Sequence, residues 1–541
     1  MHIQVRINEE GALRNQRYAF TDRFTLVTEL LQNARRAGAT RIHITHDVLT
    51  QRLRVTDDGH GIADFQKLLT FNESGWDEAT TDQERPFGIG FSKCLYAASR
   101  CIVASGDQCV DFETEAALAK APIEVADMEA PVTGTVIELE GVDLPELANR
   151  IESLCQGFSV TVVFNDKTME RRYAEANLAR IRTAIGSIHI TGTSDGKHNS
   201  HTLVFLQGLC VMQPIYFQEG QVNVVHLDSR QFTARLPDRE KLIDEDVQRR
   251  RIDAELKACW RRTLEGAKTQ LDATHFVETY YSAMRSWGHL DLLNDLDVLP
   301  RGLCDSIVGY PIQDDSGTRD HVQTMAVTPT RADVESGAVT LVALDSVNDE
   351  NAARWMLARA KAHVVFDWVG LHADHWAQRH VRMLEDEPAD VEAVSEQHRT
   401  ELEGRWIWPT VVLCEAVRVR VGDDSADVRD AGVHHAGCLY IPVEEASGEP
   451  VRQASSFTDE HDQFLESERD ADRDALANLI QRLRSVDPLQ TLDSLLQGLK
   501  LGKYPLLRGK QFHLTVGVGA APGHSLELAD DVAQGGSDAQ P

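Results

Sequence analysis

No uninterrupted apolar run in this 541-residue chain reaches the ~18 residues that a membrane-spanning helix requires. Its opening stretch, MHIQVRINEE, lacks the basic-then-apolar pattern of a secretory signal, so neither membrane anchoring nor secretion is expected. There is no CxxC. The nine cysteines fall singly, at Cys94, Cys101, Cys109, Cys155, Cys210, Cys259, Cys304, Cys414 and Cys438. Thiols so scattered predict no disulfide framework, and reduced cysteines in a cytoplasmic setting. A basic excess is missing too: 55 Lys and Arg stand against 85 Asp and Glu, a formal charge of −30. The imbalance is uneven. Residues 1–270 hold 32 basic and 39 acidic side chains (net −7), which leaves 23 and 46 (net −23) for residues 271–541. The acidic second half repels phosphate backbones, which disfavours broad nucleic-acid binding there and leaves a local basic patch elsewhere open.

What is present is ordinary globular material: 42% hydrophobic and 26% charged residues, enough chain for three or four domains at about 150 residues each. Residues 24–37 (FTLVTELLQNARRA) place Leu26, Leu30 and Leu31 on one helical face, extended by Ala34 and Ala37, with Gly38 as a stop. RIHITHD and RLRVTDD alternate as two strands meeting at a turn near 47–51. A polar segment at 64–86 has the length of a lid, and a small-residue helix starts near Gly90. Strands follow at CIVAS, TVIELE and VTVVF. That order predicts an α/β (α+β) sandwich over 1–168 rather than a strictly alternating parallel sheet. A second α/β block at 169–270 holds TLVFLQGL, NVVHL and a long charged helix. An acidic mixed α/β region follows at 271–518, with helices near 350–385 and 459–500 and strands at WPTVVLCEAVRVRV and CLYIPV. Residues 519–541 are small and polar, the composition of a disordered tail.

Three short motifs occur in order within the first block. Glu29 and Asn33 sit four apart on one helical face, where a carboxylate can deprotonate water and an amide oxygen can ligate magnesium. Asp57-Asp58-Gly59-His60-Gly61-Ile62 ends a strand; its first carboxylate can accept from an exocyclic amine such as adenine's, and its glycines admit a flat base. Phe87-Gly88-Ile89-Gly90-Phe91-Ser92-Lys93 precedes a helix, a setting suited to nucleotide phosphates. Each alone is commonplace: a solvated helix face, a polar turn, a GxG before a helix.

Together, ELLQNARRAGA, DDGHGI and FGIGFSKCLYAAS resemble the Bergerat-fold (GHKL) ATPases: gyrase-type topoisomerases, ninety-kilodalton heat-shock chaperones, histidine kinases, and MutL-type and MORC proteins. The resemblance covers about residues 10–165 and includes Gly134-Thr135, read as the opening of a strand. It implies ATP and Mg2+ as cofactors, with Glu29 as the base that activates water and Asn33 as the metal ligand. Asp57 is then the adenine reader, and Gly59, Gly61 and Ile62 shape the base pocket. Gly88, Ile89, Gly90 and Phe91 fall at the phosphate-wrapping end of the lid, and Thr135 makes a water-mediated adenine contact. One position departs from the pattern: Arg36 stands where chaperones and MutL-type members usually have aspartate.

NARRAGATRIHI is most similar to MutL and MORC members, whereas FNESGW and ERPFGIGFSKCLYAASRCIVAS are closer to the heat-shock chaperones. LPDREKLI resembles the chaperone middle-domain loop, which makes Arg239 the first candidate for a γ-phosphate cation and Lys241 the second. The resemblance therefore implies a nucleotide-dependent homodimer acting on a protein partner or client. The alternatives are a MutL- or MORC-like DNA-transaction or genome-defence ATPase, and an ATP-binding regulator with little hydrolysis. Elsewhere the bland readings prevail: His372, His375 and His380 on a surface helix, His434-His435 with Cys438 likewise without a ligand set, Trp406 and Trp408 as strand packing, Arg249–Arg251 on a salt-bridged helix face.

Overall fold

The computed structural model describes residues 3–4, 8–16, 18, 22–71, 73, 75–84, 88, 90–218, 220–235, 239–311, 320–347, 349–405, 407–443, 466–518 and 523–529. The chain divides into two compact units, 1–298 and 299–541.

The first unit opens with α1 (Glu9–Gln16) and α2 (Thr25–Arg36), then β1 (Arg41–Asp47) and β2 (Arg52–Asp57). The helices α3 (Phe65–Leu69), α4 (Glu78–Glu84) and α5 (Ser92–Ala97) follow, then β3 (Arg100–Glu113), α6 (Thr114–Leu118) and β4 (Val125–Glu140). The chain continues through α7 (Leu147–Cys155), β5 (Thr161–Phe164) and β6 (Lys167–Thr168). These strands make one sheet in the order β3-β4-β2-β1-β5-β6, antiparallel except for the β1–β5 pair. The leucine periodicity of α2 is realised: Leu26, Leu30 and Leu31 join Leu95, Ile151, Ile42, Ile44, Leu53, Val55, Val103 and Leu139 in one buried cluster. Each such leucine or isoleucine contributes about 1.5–3 kcal/mol by leaving water. Period-two alternation then sets the register of β2, whose inward residues are Leu53, Val55 and Asp57. Gly134-Thr135 lies well inside β4 rather than opening it, because the strand begins at Val125 and runs as a long hairpin with β3.

A second sheet takes β7 (Ile181–Thr183), β8 (Gly186–His189), β9 (Thr202–Leu206), β10 (Leu209–Met212) and β11 (Asn223–Leu227) in the order β10-β9-β11-β8-β7. Two helices close the unit, α8 (Glu245–Gln270) and α9 (Ala273–Trp287). The unit therefore runs past the boundary expected at 270. Trp260 of α8 stacks on Trp287 of α9 at 6.1 Å between ring centroids, and Arg261 pairs with Asp291 at 2.6 Å.

In the second unit, the helix Asp349–Ala360 packs on the sheet that holds Ala389–Glu401 and Thr410–Val421, and Trp355 is among its buried residues. The expected helix near 350–385 ends at Ala360. Beyond it the chain makes the strand Val364–Phe366 and the 3-10 turn Trp376–His380. His375 is buried there and accepts the Ala377 N–H at 3.1 Å, so it caps a turn rather than decorating a surface helix. Trp408 is exposed, against the expected strand packing; Trp406 lies outside the described residues. Part of the expected tail is a strand, His524–Leu528, antiparallel to Phe512–Val516. The alternation of Leu526 and Leu528 with polar residues is a strand pattern that composition alone hides.

Candidate active site

A cavity of about 400 Å3 opens between α2, the β2 end and the segment after α3, a volume suited to a small ligand. Its lining includes Glu29, Asn33, Asp57, Gly61, Ile62, Gly88, Gly90, Phe91, Thr135 and Arg239. Side chains from all three motifs, from β4 and from beyond the second sheet are thus brought to one place. Gly59 stands just behind the wall and donates its N–H to Asp57 Oδ1 at 2.9 Å. Ile89 lies outside the described residues.

At one end, Asp57 and Thr135 are cross-strand partners on β2 and β4. Asp57 is buried, and that burial pushes its carboxyl up, opposed by the Gly59 N–H. Asp58 faces the other way. It accepts from the Thr40 N–H at 2.7 Å and the Arg41 N–H at 2.9 Å, and with the Thr40 hydroxyl these hold its carboxyl down at about 2. The paired aspartates therefore divide the work: Asp58 ties the α2–β1 turn, and Asp57 is left for the cavity. Gly61 sits at φ +81°, and a Cβ there would meet Ser105 Oγ at 2.5 Å. Ser105, unremarked in its apolar strand, accepts the Ile62 N–H and donates to the Gly134 carbonyl, both at 2.8 Å.

At the other end, Glu29 and Arg239 form a buried ion pair, Arg239 Nε to Glu29 Oε1 at 2.7 Å. Arg239 rides a loop closed by the Ala234–Leu242 bridge and by Arg235 N–H to the Lys241 carbonyl at 2.7 Å. Its φ of +55° is a strained value for a side-chain-bearing residue, the kind of cost of about 1–3 kcal/mol that concentrates at functional sites. Lys241, two residues on, is exposed and outside the lining. The left-handed backbone at Arg239 interrupts any extended alternation there: Arg239 is buried, while Glu240 and Lys241 are both exposed. Gly90 approaches the same carboxylate so closely that a Cβ would lie 2.2 Å from Glu29 Oε2.

Sequence reasoning noted Arg36 as a departure and missed its partners. Glu84, at the end of α4, accepts from Arg35 at 2.8 and 2.5 Å and from Arg36 Nε at 2.9 Å. Burial resists ionisation of Glu84, yet the two guanidiniums prevail and hold its carboxyl low. Arg36 Nη1 donates to Asn33 Oδ1 at 3.2 Å. The amide oxygen matched to a magnesium ligand is thus engaged by a cation. Among the described residues, no group of three or more His, Cys, Asp or Glu could hold a metal, the His372 and His434 stretches included. This arrangement does not fit Mg2+ on Asn33.

Residues 21–131 match the family described as "Histidine kinase-, DNA gyrase B-, and HSP90-like ATPase". That match supports the GHKL superfamily for this segment and selects no branch within it. No curated protein matches the chain. Among solved structures, the ATPase region of Saccharomyces cerevisiae topoisomerase II aligns at 12% identity over 40% of this chain and 76% of that chain. Its TM-score of 0.29 is too low to bear on fold or function. Among the described residues, no helix is long and apolar enough to cross a membrane.

Proposed function

We propose that this chain is an ATPase whose nucleotide cycle drives a conformational switch acting on a protein partner. The observation that carries the reading is the convergence of Glu29, Asp57, Thr135, Gly88, Gly90 and Arg239 on one cavity. Asp57 would take the adenine amine, with Thr135 beside it, and the opposite end, where Glu29 meets Arg239, would take the terminal phosphate. Asp57 is suited to reading an amine because its carboxylate is buried and already held in orientation by the Gly59 N–H.

For hydrolysis, the Glu29 carboxylate takes a proton from water as the water oxygen bonds to the terminal phosphorus and the bond to the ADP oxygen breaks. Glu29 must first release Arg239. A guanidinium freed from the carboxylate stabilises the charge developing on the phosphoryl oxygens, so one exchange of partners both frees the base and supplies the cation. Arg239 arrives from beyond the second sheet, and Gln32 of α2 donates to the Gln207 carbonyl in the β9–β10 turn at 3.0 Å. Both contacts give the nucleotide site a direct mechanical link to the second sheet. Homodimerisation on ATP binding belongs to this proposal by resemblance. The net −23 of residues 271–541 favours a protein partner over DNA.

A second reading, an ATP-binding regulator with little turnover, is favoured by the same buried ion pair, which withholds the base. Calorimetric titration with ATP tests the common premise. Asp57→Asn should weaken binding at least about tenfold, as expected for a lost charge-assisted hydrogen bond; unchanged affinity would remove Asp57 from the site. Turnover stimulated by DNA and abolished at moderate salt would move the proposal to the DNA-transaction class.

A further inference from the structure

Arg36 is a buried guanidinium in the lining of this cavity, and its surroundings say what it does there. Its side chain is only 2% exposed, yet it lines the cavity together with Asn33, Glu29 and Arg239. Two of its nitrogens are occupied, Nε by Glu84 and Nη1 by Asn33 Oδ1. The third, Nη2, is buried and has no hydrogen-bond partner among the described residues. An unsatisfied buried donor on a charged group costs more than a neutral one, and structures retain such groups where a ligand completes them. Burial and the neighbouring Arg239 push this guanidinium's pKa down, while Glu29 and Glu84 hold it up. A guanidinium in proteins nonetheless stays charged at neutral pH.

The same geometry bears on the metal. Mg2+ needs oxygen ligands at about 2.0–2.1 Å and usually takes one or two carboxylates along with substrate phosphates. Here the amide oxygen already accepts from a cation at 3.2 Å, so a divalent ion on Asn33 would lie against a guanidinium. The two positive charges compete for one oxygen. Near Glu29 the lining holds two guanidiniums, Arg239 paired with Glu29 and Arg36 paired with Glu84, and what Arg36 still has to offer phosphate oxygens is the N–H of its unpartnered Nη2.

We propose that Arg36 takes the place of the divalent cation at the phosphate end of this pocket, binding phosphate oxygens through its unpaired Nη2, so that ATP is held without Mg2+. The inference rests on the reading of the cavity as an ATP site. It makes Arg36 a specificity-determining residue and Glu84 its positioning partner.

The test is calorimetric ATP affinity of the full chain in Mg2+ and again in excess EDTA. The wild-type dissociation constant should change less than fivefold between the two, and Arg36→Ala should lose at least tenfold in EDTA relative to wild type. Arg36→Gln, which keeps a donor for Asn33, replaces Arg36→Ala if circular dichroism shows that the alanine variant is unfolded; the same tenfold loss is expected. A fivefold or greater loss for wild type in EDTA overturns the proposal while leaving the ATP site in place, as does a folded Arg36 variant with wild-type affinity in EDTA. No ATP binding under either condition overturns the ATP reading, and this inference falls with it.

Discussion

Both compact units of this protein bury polar side chains, and they do so to different ends. In the second unit, Asp472 and His375 spend their buried polar atoms on backbone N–H groups. Asp472 accepts the N–H groups of Arg405 and Ile407 at 2.7 and 3.0 Å and pins one loop to one helix. His375 caps the turn that follows it. In the first unit a subset of them converges. Glu29, Asp57, Thr135, Ser105 and Arg239 are all buried, and all line one cavity. Glu29 and Arg239 lie 210 residues apart in sequence. Burying such groups costs free energy unless each is partnered. In the second unit Asp472 meets this cost by holding backbone N–H groups, whereas in the first unit Glu29 and Arg239 meet it by pairing two charged side chains inside a cavity.

If the comparison is right, substitutions in the two units should separate cleanly. The largest effect is on rate: Arg239→Ala should lower ATP turnover about 10²–10³-fold, the scale of removing one charge-stabilising donor, with affinity nearly unchanged. Lys241→Ala should turn over normally; steady-state kinetics on both variants decides between the two cations. Asp472→Ala is the mirror case. It strands two backbone N–H groups and should cost about 1–3 kcal/mol of stability for each, read as a lower urea midpoint, while ATP affinity stays at the wild-type value. A loss of affinity there would break the separation.

The smallest effect concerns the clamp between Glu84 and Arg35 and Arg36. A carboxyl held below its unfolded value of about 4.3 stabilises the fold at higher pH and loses that contribution as pH falls through its folded value. Hydrogen-exchange protection of the Glu78–Glu84 segment should therefore persist at pH 5 and drop only below about pH 4. Loss of protection already at pH 5 would mean that the guanidiniums do not hold Glu84 low.

How far the sequence revealed this depended on whether the signal was local. The leucine face of Thr25–Arg36 and the alternation of Leu53, Val55 and Asp57 were readable because periodicity and burial agree along those elements. Arg239 was readable as a candidate through its surrounding motif, but its choice over Lys241 needed the turn at Arg239, which no periodicity announces. Glu84 was not readable: its partners are 48 and 49 residues away, and nothing in DQER marks a clamp. Periodicity also stops short of naming a partner. The helix Pro488–Gln497 has leucines spaced much like those of Thr25–Arg36, and none of its residues is buried. An amphipathic pattern specifies a face; only the rest of the fold decides whether anything covers it. Composition misled at His524–Leu528, where a polar, small-residue context concealed a strand.

The central claim is that Glu29 is a base withheld by Arg239 and released to an ATP-bound site. Glu29→Ala would leave a buried guanidinium unpaired, a change that can cost about 3–5 kcal/mol of stability. Glu29→Gln keeps an acceptor oxygen for Arg239 while removing the base together with its charge. ATP affinity and turnover measured on the same Glu29→Gln preparation put the claim to the sharpest test. The account predicts affinity within about threefold of wild type and turnover lowered at least about 10²-fold, the range for a lost general base; turnover at the wild-type rate would contradict it.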